Sequence, residues 1–216
     1  QKYGYPKIDV LSEKFKKLSF SKLDKKKVLI APGWTDSSIT RTCLFELVDI
    51  LLEQAFHITI RFHSMSYIKD KEIVKKIKKL SNINKLINVD NSEDSLKTLK
   101  NNFIMISDWS GVAIEFAFSK NMPVILIDTV PKKINKNWNL LKLGCIEDNL
   151  RNEIGYTIKK NNLKDVVHLI HKIKNEKDLS EWKIKINKIR QKTLYNTGSS
   201  AKVGSKIILE NLKKNL

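Results

Sequence analysis

Three short stretches of this chain carry groups that could hold an anion. Ala31-Pro32-Gly33-Trp34-Thr35-Asp36-Ser37-Ser38 offers hydroxyls and backbone amides, with Trp34 and Asp36 in reach of the same cleft. In Arg61-Phe62-His63-Ser64, the imidazole of His63 can donate to a phosphate oxygen, and Arg61 can supply charge behind it. The third stretch, Ser107-Asp108-Trp109-Ser110-Gly111-Val112-Ala113, joins an apolar run to a helical pattern. Free N–H groups at a helix start, aided by the helix dipole, bind phosphate. Gly111 lets a ligand approach the backbone, and the Ser110 hydroxyl adds a donor. Each stretch also has a plainer reading: a turn with helix caps, a structural histidine, and capping by Asp108 or Ser110. Neither GxxxxGK[ST] nor GxGxxG occurs, and GxSxG, HExxH and metal-spaced Asp/His sets are absent as well. His168 and His171 sit beside apolar residues at helical spacing and read as structural.

The elements that would position these stretches alternate. Val28–Ala31, His57–Phe62, Leu86–Val89, Phe103–Ile106 and Val124–Ile127 are short apolar runs that predict strands. Between them, helical periodicity runs from Cys43 to Leu52, Ile68 to Leu80, Asp94 to Asn101 and Gly111 to Phe118. Such alternation implies an α/β fold: a Rossmann-like parallel sheet with helices on both faces. Ligands of such sheets sit beyond the carboxyl ends of the strands, where all three stretches fall. Thr129 to Asn139 is polar and suits an exposed loop. Helices follow around Leu163–Ile173 and Leu179–Leu194, and Asn196-Thr197-Gly198 breaks the chain. Ser199 can cap a last helix with Val203, Ile207, Ile208 and Leu212 inward, a helical carboxyl-terminal extension.

At 216 residues, 41% of them hydrophobic, the chain can fill one domain core. Its formal net charge of +18 favours phosphorylated substrates, anionic lipid or nucleic acid, unless it reflects only a lysine-rich compositional bias. The cations are nearly all Lys, with Arg only at 41, 61, 151 and 190, which argues against base readout by Arg forks; nucleic acid is not the expected partner. Cys43 and Cys145 read as buried free thiols, and no apolar run reaches a membrane-spanning length. The expectation is a cytoplasmic protein, peripheral on the membrane face. The chain opens on Gln1 and reads as a piece of a longer protein.

Taken in order, Gly4-Tyr5-Pro6-Lys7-Ile8-Asp9, the loop from Ala31 to Asp36, Arg61-Phe62-His63, the run from Ser107 to Ala117 and the strand from Pro123 to Asp128 form an ordered set. It resembles the CDP-glycerol glycerophosphotransferase family, builders of teichoic-acid and related capsular polymers. The resemblance spans residues 4 to 128, with an echo in Tyr195 to Lys202. Three positions depart from the family pattern: Thr35 replaces an Arg, Ser64 a Pro, and Gly111 a second Ser.

The resemblance implies one half of a GT-B fold, the half that holds the nucleotide. Residues 1–10 would begin the interdomain linker, and 199–214 would form a helix reaching toward an absent amino-terminal half. It implies a CDP-linked donor, CDP-glycerol or a related CDP-alditol, with Trp34, Asp36, Arg61, His63, Asp108, Ser110 and Gly111 as binding residues. His63 would stabilise phosphate rather than act as base; the base belongs to the absent half. A polymer or lipid-linked acceptor hydroxyl would attack the donor's β-phosphorus and release CMP, with no metal and no cofactor. This chain alone would not turn over. A GT-B enzyme using a UDP- or CMP-sugar, a basic nucleic-acid or anionic-surface module, and an inactive scaffold marked by Thr35 stand as alternatives.

Overall fold

The computed structural model describes residues 2–17, 23–131, 135, 137, 140 and 145–214. Most of the loop expected from Thr129 to Asn139 lies outside the described residues. Six strands, β1 (Lys27–Ala31), β2 (His57–Ile60), β3 (Ile87–Val89), β4 (Ile104–Ser107), β5 (Val124–Asp128) and β6 (Gly155–Lys159), form one sheet. They are all parallel, in the order β3-β2-β1-β4-β5-β6. That is the doubly wound Rossmann order, whose connections reverse direction between β1 and β4.

The central strands are buried from end to end, as a sheet covered on both faces requires: β1 buries Val28 to Ala31, and β4 buries all four residues. The helices among the described residues are α1 (Pro6–Phe15), α2 (Ile39–Thr42), α3 (Leu44–Glu53), α4 (Ser66–Lys69), α5 (Lys71–Ile83), α6 (Leu96–Asn101), α7 (Gly111–Lys120), α8 (Ile146–Leu150), α9 (Asp165–Lys174), α10 (Glu176–Thr193) and α11 (Ser200–Lys214). Helix α7 is buried from Ala113 to Lys120, so it is a core element wrapped by others. Lys120 is only 2% exposed, and its ammonium donates to the carbonyls of Leu99, Lys100 and Asn102 at the end of α6. Burial pushes its pKa down to about 7. No helix among the described residues is long and apolar enough to cross a membrane.

The five expected strands are present, and the structure adds their order in the sheet and several elements. Helix α1 occupies the stretch read as the start of a linker; Pro6 opens it, and Ile8, Leu11 and Phe15 bury one face. Strand β6 pairs in register with β5, and a Cβ on Gly155 would come within 1.9 Å of the Val124 carbonyl oxygen. Only glycine permits that approach. The helix expected from Ile68 to Leu80 is two helices, broken where Asp70 leaves helical geometry at φ −122° and ψ 32°.

Three expectations are corrected. Cys145 is exposed, with its thiol donating to the Glu147 carboxylate, while Cys43 is buried. On α11, Ile208 is 62% and Leu212 56% exposed, and Val203 and Ile207 are half-buried. Helical spacing locates an apolar stripe without saying what covers it. Nor does the Ser199 side chain cap α11: its hydroxyl donates to the Asn196 carbonyl, and the Asp9 carboxylate accepts from the N–H groups of Gly198 and Ser200 instead.

Candidate functional site

The carboxyl edge of the sheet is built around Asp108. Ala31 and Ser107 are register partners at the ends of β1 and β4, and the Ser107 hydroxyl donates to the Ala31 carbonyl at 2.6 Å. The loops that leave these strands therefore start side by side at the topological switch point. The buried Asp108 carboxylate then joins them: Oδ1 accepts from the Gly33 N–H at 2.6 Å, and Oδ2 from the Ile39 N–H at 2.7 Å. Burial pushes the Asp108 carboxyl up, while those two N–H groups and the Arg151 guanidinium work against it. The capping role considered for Asp108 at α7 is thus exercised at α2, a connection between residues far apart in sequence.

Arg151 closes the inner side. It is 7% exposed, donates to the carbonyls of Asp108 (3.0 Å) and Ile127 (2.6 Å), and lies 4.3 Å from the Trp109 ring centroid. Trp109 in turn donates from Nε1 to the Thr129 carbonyl at 2.8 Å. Asp108, Trp109 and Arg151 therefore form the rigid floor of the site. Sequence reasoning did not single out Arg151. Its only signal was rarity, one of four arginines in a lysine-rich chain.

Trp34, His63, Ser110 and Gly111 lie at the same carboxyl edge. Gly33 abuts the Trp109 carbonyl closely enough that a Cβ would lie 3.2 Å from it, which fixes Trp34 next to the start of α7. The His63 ring lies 5.9 Å from the Trp34 ring, tilted by 33°. His63 Nδ1 accepts from the Met65 N–H at 3.1 Å, so the neutral imidazole carries its proton on Nε2 and can donate there. Ser110 begins α7 in extended geometry and makes no side-chain capping bond. Gly111 is exposed, and among the described residues a Cβ there would meet only a Glu147 carboxylate oxygen at 3.9 Å. Opening the helix, Gly111 and Val112 have no intrahelical carbonyl partner for their N–H groups.

Two other expected residues stand apart. The Asp36 side chain is 94% exposed and pairs with Arg41, whose Nε also donates to Asp70 at 2.5 Å. The Arg61 guanidinium turns to Asp90 at 2.5 Å and to the Ser92 carbonyl at 2.9 Å. There it shapes the loop after β3. His168 and His171 are exposed on α9, away from this edge. Among the described residues no group of three or more His, Cys, Asp or Glu gathers to hold a metal.

Beside Gly111 opens a cleft of about 440 Å³ lined by Tyr3, Tyr5, Ile114, Phe118, Glu147 and Tyr195, among others. It gives the edge a largely apolar neighbour for whatever the α7 start holds.

Among solved structures, the wall teichoic acid polymerase TagF is similar at a TM-score of 0.54 and 18% identity, over 100% of this chain and 53% of that one. A variant of TagF soaked with CDPG matches at 0.53 and 18%, over 99% and 50%. The UDP-GlcNAc 2-epimerase of Methanocaldococcus jannaschii, in complex with UDP-GlcNAc and UDP, matches at 0.54 and 14%, over 96% and 54%. The chain spans about half the length of each, and at these identities the likeness establishes the fold, the Rossmann-like half of GT-B enzymes. No curated protein sequence matches. The profile of a family described as CDP-Glycerol:Poly(glycerophosphate) glycerophosphotransferase matches residues 1–130, more than half of the 216, and the chain belongs to that family.

Proposed function

We propose that the carboxyl edge between β1 and β4 holds a CDP-linked donor, CDP-glycerol or a related CDP-alditol, in an alditol-phosphate transferase. The carrying observation is the open start of α7: Ser110 without a capping bond and Gly111 with space before it among the described residues, at the switch point and next to the Trp34–His63 pair. Helix N–H groups, the Ser110 hydroxyl and His63 Nε2–H together make a donor set suited to a pyrophosphate. In the transfer, the acceptor oxygen forms a bond to the β-phosphorus. The bond from that phosphorus to the bridging oxygen breaks, and CMP leaves with the electron pair. The protein contributes position and charge stabilisation at this centre.

The acceptor's proton goes to a base on a second half, which also carries the acceptor site. The exposed apolar stripe of α11 with Ile208 and Leu212 suits contact with that half. The charge of +18 suits docking of the whole enzyme on an anionic membrane near a lipid-linked acceptor.

Calorimetric titration with CDP, UDP and ADP tests the donor. CDP is expected to bind tightest, without added metal. Equal affinity for all three would sink the cytidine assignment, and binding of oligonucleotides alone would replace this reading with a nucleic-acid module.

A further inference from the structure

The cations around the carboxyl edge differ in what already holds them. Arg41 is clasped between Asp36 and Asp70, Arg61 by Asp90 and the loop after β3, and Arg151 by the carbonyls of Asp108 and Ile127 beside Asp128. Each guanidinium has a fixed structural task. Lys69 does not. It is exposed at the end of α4, the short helix that follows His63, and makes no ion pair among the described residues. Its ammonium lies 4.6 Å from the Trp34 ring centroid, and Trp34 is the ring that also faces His63 at 5.9 Å.

A pyrophosphate at this edge needs charge compensation that its neutral donors do not provide. The Ser110 hydroxyl, the α7 amides and a neutral His63 Nε2–H supply hydrogen bonds, whereas a partly desolvated anion is held well only when a cation pairs with it. A cation–π contact at an exposed site is weak, so Trp34 parks the ammonium without trapping it. The four-carbon stem of lysine swings a compact point charge through several ångströms.

We infer that Lys69 is a phosphate-binding residue of the donor site, held over Trp34 until the donor's pyrophosphate takes its ammonium as counter-charge. This rests on the donor-site reading above.

Calorimetry with CDP, CMP and cytidine on the parent, Lys69→Ala, Lys69→Arg and Lys71→Ala separates the two. Lys69→Ala is expected to weaken CDP about tenfold, the scale of one charge-assisted hydrogen bond. Cytidine, which lacks phosphate, should bind both proteins alike. Lys69→Arg should recover most of the CDP affinity. Lys71→Ala, which removes the same charge two residues along, should leave it unchanged. The parent's CDP affinity should also fall more steeply with salt than that of Lys69→Ala. Equal CDP affinity in the parent and Lys69→Ala overturns this assignment and leaves the donor site standing. So does an equal loss of CDP and cytidine in Lys69→Ala, which would mean a disturbed Trp34. A parent that binds neither CDP nor CMP overturns the donor-site reading and this inference with it.

Discussion

Gly4–Asp9 and Ser107–Gly111 look alike as sequence, each a short run mixing glycine, an aromatic and an acid, yet the fold treats them in opposite ways. Around Gly4, φ is +113° and a Cβ would collide with the Tyr195 carbonyl oxygen at 2.3 Å, so the amino-terminal segment lies flat against the turn before α11. The Tyr5 hydroxyl donates to Glu115 at 2.7 Å, Lys7 pairs with the same carboxylate, and Asp9 accepts from Gly198 and Ser200. Burial and the Glu115 carboxylate push the Tyr5 phenol up. These polar groups have found partners inside the chain, and the run acts as a clamp joining α1, α7 and α11.

In Ser107–Gly111 only the inner residues are engaged this way. Ser107, Asp108 and Trp109 bond inward, while Ser110 and the exposed Gly111 present their donors outward. Motif composition therefore does not separate a run whose polar groups are tied down from one that keeps donors exposed. What separates them is how many polar groups remain uncommitted after folding.

Mutations can break this contrast in order of severity. Asp108→Ala should cost the most, about 3 kcal/mol or more. It leaves two buried N–H groups unsatisfied and removes a negative charge facing Arg151. Denaturant unfolding measures it, and a loss below about 1 kcal/mol would show that the loops stay joined without this carboxylate.

The open side should respond in affinity rather than stability. His63→Ala and Ser110→Ala are each expected to weaken CDP by about ten- to a hundredfold at matched thermal stability. Gly111→Val should do more, by shielding the amides. His168→Ala on exposed α9 should change nothing. Unaltered CDP binding by His63→Ala would return that histidine to a structural role.

Asp9→Ala tests the closed side. Losing its cap on α11 should cost about 1 kcal/mol while CDP affinity stays constant. A drop in affinity matching the Ser110→Ala effect would erase the distinction between the two runs.

The smallest effect is set by pH. Burial alone would raise the Asp90 carboxyl, but hydrogen bonds from Ser92, Thr98 and Arg61 outweigh it and hold it at about 2, below its unfolded 3.8. A carboxyl lowered on folding stabilises above its unfolded pKa and loses that contribution as pH falls through the folded one. The loss from Asp90 should therefore develop between about pH 4 and pH 2. Solvent screening limits it to on the order of 1 kcal/mol. Acid unfolding of Asp90→Asn should lack this component, and an identical acid profile in the variant would assign the drop to other carboxylates.

Much of the architecture was readable from local pattern. Five apolar runs alternating with helical periodicity predicted a parallel α/β sheet, because burial on both faces imposes a continuous apolar signature on each strand. The run from Ser107 to Ala113 was recognisable as a strand-to-helix turn for the same reason. Strand β6 escaped: its five residues, Gly155–Lys159, mix polar and apolar side chains at the edge of the sheet. Helix α1 escaped too, since its start has no side-chain cap and four charged residues, Lys7, Asp9, Glu13 and Lys14, break up its short apolar pattern.

The division between scaffold and donors lay beyond that pattern. Asp108 reaches back to Gly33 and Ile39, Arg61 turns to Asp90, Arg151 stacks on Trp109, and Lys69 settles over Trp34. The apolar period of a strand or helix is a property of neighbouring residues, and the sequence by itself determined it. Whether a polar group ends up satisfied or left facing a ligand depends on partners tens of residues away, which only the packing of the tertiary structure brings within hydrogen-bond distance.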